Sequence, residues 1–236
     1  MKKYIKYIVF LLIVVAIFAI YHLFKNDKIN YIALGDSLAE GMNPYGEVGY
    51  SYTDYFADYL NENNKLAHYT KKYTKSGYKT DDIINNLANN NLLKKDLRQS
   101  NLVTVSIGAN DFLGSINIKK LDINDIMKLK SNIILIMPNI DNCIKKIRKY
   151  AKEDIIIIGY YNPIPFLFNT NGDELDELFA YIDSEYQKIA NTYNCKYISL
   201  YQLFKKNSNY LPNPADIHPN LDGYKAISKE IISLYK

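Results

Sequence analysis

The chain has 236 residues, of which 48% are apolar and 23% are charged, and this composition excludes a disordered or low-complexity protein while allowing one good-sized domain. Two cysteines without a CxxC pair and three scattered histidines argue against a disulfide scaffold, a structural zinc site and a His-rich metal centre. The formal net charge of +4 lies in residues 1–28, which hold five lysines and one aspartate, and the rest of the chain has 24 basic and 24 acidic residues, a balance that argues against nucleic-acid binding.

The N-terminal segment, residues 1–25, has the pattern of a transmembrane helix. An unbroken apolar run covers Tyr7–Tyr21, and Tyr4–Phe24 has about the twenty residues that a helix needs to cross a bilayer. Lysines precede the run, which places the N-terminus in the cytoplasm and residues 26–236, the predicted folded domain, outside. We therefore predict an uncleaved single-pass anchor in the cell membrane. The alternative is a cleaved signal peptide and a secreted protein, although no A-x-A site ends the run.

Beyond this segment, short apolar strands alternate with stretches of helical periodicity. In chain order, the predicted elements are strand Ile29–Leu34, helix Tyr50–Leu60, strand Leu66–Tyr73, helix Asp81–Leu97, strand Leu102–Ile107, helix Asn132–Ala151, strand Ile155–Ile158, helix Leu175–Tyr193, strand Tyr197–Leu200 and helix Gly223–Leu234. The strands are almost wholly apolar, which predicts a parallel sheet covered by helices on both faces.

Three features of this pattern are less regular. The long middle helix is expected to start or to be interrupted near Pro138. The weak periodicity of Phe112–Lys130 indicates an inserted loop or a mobile lid. Cys143 and Cys195 would meet oxidising conditions outside the membrane, where a disulfide and two free thiols are both compatible with the sequence.

Ligands of open parallel sheets bind beyond the carboxyl ends of the strands, so the polar residues that follow each strand are candidate site residues. Ser37 follows the first strand within GDSL at 35–38, where a serine either presents a nucleophilic hydroxyl or caps the next helix. Gly77 follows the second strand, either as a turn glycine or as a point where a substrate approaches a backbone N–H. Asn110 follows the third, either as a loop residue or as a donor to an oxyanion.

His218 is the histidine best placed to act as a base. It precedes a proline in a polar loop, whereas His22 lies in the apolar N-terminal segment and His68 lies at the start of the second strand. Asp216 lies two residues earlier and fixes the tautomer of the imidazole if the backbone turns the two side chains together.

These pieces, in this order, resemble the SGNH/GDSL hydrolase family. The matching motifs are GDSL at 35–38, Gly77, GAND at 108–111 and DIHPN at 216–220. The resemblance spans about residues 29–235. It implies a three-layer α/β/α flavodoxin-like fold with a five-stranded parallel sheet, hydrolysis of carboxylic esters, and no cofactor or metal.

The resemblance also implies a role for each motif residue. Ser37 would be the nucleophile and His218 the general base and acid, while the backbone N–H groups of Ser37 and Gly77 and the Asn110 side chain would form the oxyanion hole. One position departs from the family pattern, because the usual DxxH spacing places the acid where this chain has alanine. We predict that Asp216 orients His218 from the shorter spacing; the alternative is a backbone carbonyl.

Several ester substrates fit such a site. Membrane tethering and an aromatic-rich chain, with 23 tyrosines, favour a lipid or lysophospholipid. A carbohydrate O-acetyl ester of a cell-wall or surface polysaccharide fits nearly as well, because aromatic rings also stack on sugars. A hypothesis of another class is a membrane-tethered binding domain that has lost catalysis, but the serine, histidine and asparagine that catalysis needs are all present.

Overall fold

The computed structural model describes residues 6–7, 10–16, 28–114, 123–163 and 172–235. Five strands in these ranges form one parallel sheet in the order β2-β1-β3-β4-β5. The strands are β1 (Ile29–Gly35), β2 (Leu66–Thr74), β3 (Leu102–Ser106), β4 (Asp154–Ile158) and β5 (Lys196–Ile198). The predicted five-stranded parallel sheet is therefore confirmed.

Helices lie between the strands and after the last one. They are α1 (Ser37–Glu40), α2 (Tyr52–Glu62), α3 (Thr80–Asn89), α4 (Asn91–Gln99), α5 (Ala109–Leu113), α6 (Ile123–Tyr150), α7 (Gly172–Thr192), α8 (Leu200–Lys205) and α9 (Leu221–Tyr235), with a short 3₁₀ helix at Ser208–Tyr210.

Side chains of the central strands β1, β3 and β4 alternate between two apolar clusters, one on each face of the sheet. In β4, Ile155 and Ile157 pack in the cluster that contains residues of α3, α4, α6 and α7. Ile156 and Ile158 pack in the cluster that contains residues of α2, α8 and α9. All four isoleucines are buried for this reason, and the arrangement is the predicted three-layer α/β/α fold.

Two helix predictions need correction. The stretch Asp81–Leu97 forms two helices, because the Asn90 side chain accepts from the N–H groups of Leu92 and Leu93, each at 3.0 Å, and so starts a new helix. The expected break at Pro138 is wrong, since α6 runs through it. Buried residues such as Ile133 and Ile140 lie on both sides of the exposed proline, and their packing keeps the helix continuous despite the missing N–H.

The predicted inserted loop over Phe112–Lys130 is wrong at both of its ends, which are helical, while the alternative of a mobile lid stays a prediction. Phe112 is 1% exposed and belongs to α5, and α6 already begins at Ile123. A five-residue helix is too short to show a periodicity, and this explains why α5 escapes detection in the sequence. Residues 115–122, the middle of the predicted loop, lie outside the described residues.

Most of the predicted anchor, residues 1–25, also lies outside the described residues. Among those that are described, no helix is long and apolar enough to cross a membrane. The anchor stays a prediction.

Cys143 and Cys195 are free thiols in the structure. Cys143 is fully buried in the core, and the Cys195 sulfur accepts a hydrogen bond from the Arg148 guanidinium at 3.5 Å. Within the described ranges, no three His, Cys, Asp or Glu side chains cluster in a way that could hold a metal ion.

Candidate active site

Ser37 lies at the turn where β1 ends and α1 begins. Gly35 pairs with Ser106 of β3, and the Asp36 N–H donates to the Ser106 carbonyl at 3.0 Å. The φ of Gly35 is +148°, and a Cβ at this residue would lie 2.2 Å from the same carbonyl oxygen. Only glycine lets the chain pass the end of β3 this closely, and this close passage sets the position of Ser37 beside the carboxyl end of the sheet.

Asp36, and not Ser37, caps α1. Its carboxyl group accepts from the Leu38 N–H and from the Ser106 hydroxyl, both at 3.1 Å, and the residue is only 2% exposed. Burial raises the pKa of Asp36 from 3.8 to about 7, although both hydrogen bonds act to lower it. The helix cap that the sequence also allowed for the serine is thus supplied by Asp36, and the Ser37 hydroxyl has another partner.

That partner is His218. The Ser37 Oγ lies 2.8 Å from Nε2 of His218, and Nδ1 of the same ring lies 2.8 Å from Oδ1 of Asp216. Because a carboxylate only accepts, Nδ1–H donates to Asp216, and Nε2 then accepts from the serine hydroxyl. We call this arrangement the Ser37–His218–Asp216 row. It joins a residue after β1 to a loop 181 positions later.

A local turn explains how Asp216 reaches the ring from a spacing of two residues. The same Oδ1 also accepts from the His218 backbone N–H at 2.8 Å, which is the hydrogen bond of an Asx-turn. The turn folds the carboxylate back toward the residue two positions later and so brings it to the imidazole. The contact expected from the sequence is therefore present without the usual DxxH spacing.

The loop that carries His218 is tied to two other loops at this edge of the sheet. The Tyr161 hydroxyl, after β4, donates to the Ile217 carbonyl at 2.6 Å. The Asn213 side chain donates to the carbonyl of Pro44, which follows α1, at 2.7 Å. The first contact holds the backbone of the loop and the second holds one of its side chains. Neither involves the His218 ring, which contacts Ser37.

Gly77 lies in a β-turn directly after β2. The Lys75 N–H donates to the Gly35 carbonyl at 3.1 Å, and the Tyr78 N–H closes the turn on the Lys75 carbonyl at 3.1 Å. Gly77 has φ +84°, the conformation that a type II turn requires at its third residue. It is exposed, with open space where a Cβ would stand, so a substrate can approach its backbone.

Asn110 lies in α5, against the same turn. Its Nδ2 donates to the Tyr78 carbonyl at 2.9 Å, which occupies one of the two N–H groups of the amide. The next residue, Asp111, accepts from the Thr80 N–H and hydroxyl at 3.0 and 2.6 Å. These bonds join Asn110 to the turn of Gly77, and the Lys75 bond joins that turn to the end of β1.

Glu40 also belongs to this region, although sequence reasoning assigned it no role. It lies one helical turn after Ser37, and its Oε2 accepts from the Ser76 N–H at 2.6 Å and from the Ser76 hydroxyl. No sequence pattern links the two residues, because they are 36 positions apart. The one available signal is the spacing of three between Ser37 and Glu40, which places both on one turn of helix.

Ser37 and His218 line a cavity of about 20 Å³. This volume holds about one group the size of a water molecule. The rest of its wall is mostly apolar and includes Ile107, Ile158, Tyr160, Tyr161, Pro163 and Ile217.

The chain is similar to known proteins in sequence and in fold. The model of the GDSL-like lipase/acylhydrolase family matches residues 33–226, which include every candidate site residue. In sequence, the chain is 24% identical over 213 residues to the spore germination lipase LipC of Bacillus licheniformis, covering 86% of this chain and 94% of that protein.

Two solved structures share the fold. The lipase Lip_vut3 from a goat rumen metagenome matches with a TM-score of 0.72 and 22% identity, over 86% of this chain and 95% of that one. The acetylxylan esterase Axe2 of Geobacillus stearothermophilus matches with a TM-score of 0.60 and 16% identity, over 86% and 92% of the two chains.

Proposed function

This chain belongs to the GDSL-like lipase/acylhydrolase family, a family of carboxylic ester hydrolases, and we propose that it is a serine esterase with Ser37 as nucleophile. The observation that carries the proposal is the Ser37–His218–Asp216 row. A serine hydroxyl is a weak nucleophile unless a base accepts its proton. Here 2.8 Å separates the Ser37 Oγ from the ring nitrogen that Asp216 leaves unprotonated.

In the first half of the reaction, Ser37 forms an acyl-enzyme. Its Oγ attacks the ester carbonyl carbon while Nε2 of His218 takes the hydroxyl proton, and Asp216 stabilises the imidazolium through Nδ1–H. The tetrahedral intermediate then collapses, the bond to the alcohol oxygen breaks, and His218 returns its proton to the leaving alcohol.

In the second half, water releases the acyl group. His218 takes a proton from the water, the hydroxide attacks the acyl carbonyl, and the proton passes to Ser37 as the carboxylic acid leaves. Both halves pass through an oxyanion. The donors we propose for it are the backbone N–H groups of Ser37 and Gly77 and the second N–H of the Asn110 amide, each directed at negative charge that exists only in the transition state and the tetrahedral intermediate.

The cavity beside Ser37 supports a short acyl group. A volume of about 20 Å³ with apolar walls accommodates the methyl group of an acetate, whereas a fatty acyl chain would need space outside it. We therefore propose an acetyl or similarly short ester, of which a carbohydrate O-acetyl group is one form. The second candidate is a lipid or lysophospholipid ester, which the similarity to the protein named LipC favours.

We also propose that residues 1–25 anchor the chain in the membrane with the catalytic part outside the cytoplasm. The support is the apolar run of about twenty residues with lysines before it. Alkaline carbonate treatment of cell membranes tests it: an integral protein stays in the pellet, and release into the supernatant would contradict the anchor.

Ester hydrolysis by the full chain in detergent micelles tests the reaction and the acyl size together. We expect hydrolysis of p-nitrophenyl acetate, a smaller kcat/KM for the butyrate, the smallest for the octanoate, and loss of all three activities in Ser37→Ala. A preference for octanoate would contradict the short acyl group, and equal rates in Ser37→Ala and the wild type would contradict the serine mechanism.

A further inference from the structure

Glu40 connects the two loops that carry the proposed backbone donors. It belongs to the single helical turn that begins at Ser37, and its Oε2 accepts two hydrogen bonds from Ser76, the residue directly before Gly77. We infer that Glu40 is a positioning residue, which fixes the Gly77 N–H relative to the Ser37 N–H so that both donate to one oxyanion. This inference rests on the serine esterase proposed above.

One end of the connection is fixed to the nucleophile. The Glu40 N–H donates to the Asp36 carbonyl at 3.0 Å, and the Gly41 N–H donates to the Ser37 carbonyl at 2.9 Å. The Glu40 carbonyl accepts from the Lys71 ammonium group of β2 at 3.1 Å. The backbone of Glu40 therefore has a fixed position relative to Ser37, and this position limits where its carboxylate can lie.

The other end of the connection holds a turn whose sequence is compatible with two conformations. Type I and type II turns differ mainly by a rotation of the central peptide unit, here the one between Ser76 and Gly77. Most residues are excluded from the type II form at the third position, but glycine is compatible with both forms. The sequence of the turn thus does not by itself fix the Gly77 N–H, and contacts from outside the turn are needed to hold the turn in place relative to Ser37.

Glu40 holds this turn on one side of Gly77, and Asn110 holds it on the other. The carboxylate holds the N–H and the hydroxyl of Ser76, while the Asn110 amide holds the Tyr78 carbonyl at 2.9 Å. The Ser76 N–H belongs to the peptide unit before the one that carries the Gly77 N–H, and the Tyr78 carbonyl lies beyond it, so these bonds fix both ends of the turn. The turn, and the Gly77 N–H with it, is thereby held in place relative to Ser37.

The role is geometric and not electrostatic. A carboxylate near a developing oxyanion repels it, so the charge of Glu40 by itself opposes the reaction. What the residue contributes is an acceptor for two donors of Ser76. A glutamine keeps an acceptor oxygen of the same reach and removes the charge, and it should therefore preserve most of the function.

Steady-state kinetics on p-nitrophenyl acetate with the full chain test this role. In Glu40→Ala we expect kcat to fall by about 10- to 100-fold, the size of effect of a misplaced donor, with KM within about twofold of the wild type. Glu40→Gln should stay within about threefold of the wild-type kcat. Ser76→Ala keeps the backbone hydrogen bond, should have a smaller effect than Glu40→Ala, and serves as the milder variant if Glu40→Ala does not fold.

A second readout separates positioning from loss of stability. Sulfur accepts hydrogen bonds more weakly than oxygen, so an intact oxyanion hole makes an ester react faster than its thionoester counterpart. We expect this oxygen-to-sulfur rate ratio to fall in Glu40→Ala and to return in Glu40→Gln. Partial unfolding lowers both rates equally and leaves the ratio unchanged.

Asp82→Ala is the matched control. Asp82 lies in the first turn of α3, shortly after the turn of Gly77, and its carboxylate accepts a backbone N–H, that of Lys79 at 2.8 Å, but it does not hold Ser76. We expect a lower melting temperature, a kcat within about threefold of the wild type and an unchanged oxygen-to-sulfur ratio. An equal effect of Asp82→Ala on kcat and on the ratio would overturn the specific role of Glu40.

The outcomes distinguish this inference from the proposed function. If the wild type hydrolyses acetate, Ser37→Ala does not, and Glu40→Ala keeps the wild-type kcat and ratio, the positioning role is wrong and the esterase stands. If the wild type hydrolyses none of the esters, or Ser37→Ala is as active as the wild type, the proposed function itself fails. A loss in Glu40→Gln equal to that in Glu40→Ala would also contradict the geometric role.

Discussion

The proton-transfer side of the site and the proposed oxyanion side are held together in different ways. On the first side, His218 contacts Ser37 and Asp216 directly, with 2.8 Å between the hydrogen-bonded atoms of each pair. On the second side, Gly77 and Asn110 are positioned by neighbouring hydrogen bonds of groups that have no chemical role themselves. Glu40 accepts from Ser76, and Asp111 accepts from Thr80.

This difference indicates which substitutions should disable each side of the site. A direct row fails when one of its own members is lost, because each member has a bond to the next. On the oxyanion side, the donor in the turn is a backbone N–H, which no substitution removes. This side should fail instead when a residue that holds the turn in place is lost. The predictions below test this contrast, from the largest expected effect to the smallest.

Ser37→Ala and His218→Ala should cause the largest losses. Each removes a member of the row, so kcat should fall by about 10⁵- to 10⁶-fold, as in hydrolases where these residues act as one unit. Combining both changes should cost little more than either one. The measurement is kcat on p-nitrophenyl acetate, with circular dichroism to show that both variants fold; additive losses would contradict a single row.

Asp216→Ala should cost less, about 10⁴-fold in kcat, because the imidazole keeps its basic nitrogen and loses only its orientation and its counter-charge. The change also removes the Asx-turn bond to the His218 N–H. Asp216→Asn keeps an acceptor for that N–H and serves as the control for the turn. An Asp216→Ala variant within tenfold of the wild-type kcat would show that another group orients His218.

Asn110→Ala should lower kcat by about 10²- to 10³-fold, the cost of one oxyanion donor, with KM changed much less. Because Asn110 also holds the Tyr78 carbonyl, the melting temperature should fall slightly as well. Stopped-flow kinetics that separate acylation from deacylation should show both steps slowed. An effect on kcat below tenfold would remove Asn110 from the oxyanion hole.

Asp36 should make stability depend on pH. Its pKa is raised from 3.8 to about 7 by burial, so the folded chain binds this proton more tightly than the unfolded chain does. The resulting stabilisation is complete below about pH 4 and is lost as the pH rises to about 7, by at most about 1.4 kcal/mol per pH unit.

Urea unfolding between pH 4 and pH 8 measures this effect, with Asp36→Asn as the reference. The stability of the wild type relative to Asp36→Asn should decrease from pH 4 to pH 7 and level off above it. A constant difference over this range would contradict a buried carboxyl group with a raised pKa.

Most of the sheet was predictable because strands such as Leu102–Ser106 and Asp154–Ile158 carry a local signal. Their β-branched and apolar residues are buried on both faces, and the composition of a few neighbouring residues suffices to identify them. The course of α6 through Pro138 was not predictable in this way. It depends on packing by residues far away in sequence.

The site likewise has features with a local sequence signal and features that depend on residues far apart in sequence. GDSL at 35–38 and DIHPN at 216–220 are short motifs, so the sequence alone was enough to identify Ser37, His218 and Asp216 as candidates. The structure shows that these residues lie together. The cap of α1 by Asp36 follows from the backbone geometry of one turn, and the bond between Glu40 and Ser76 depends on the packing of two loops. Asp36 and Ser37 are both residue types that cap helices, so the sequence does not decide between them. The bond between Glu40 and Ser76 has no sequence signature.

The central claim is that Ser37 is the nucleophile, and covalent labelling tests it most directly. A fluorophosphonate forms a stable phosphonyl ester with an activated serine, and intact-mass and peptide mass spectrometry locate the adduct. We predict one adduct per chain on Ser37, much slower labelling in His218→Ala, and none in Ser37→Ala. An adduct on another serine, or ester hydrolysis that persists in Ser37→Ala, would contradict the account.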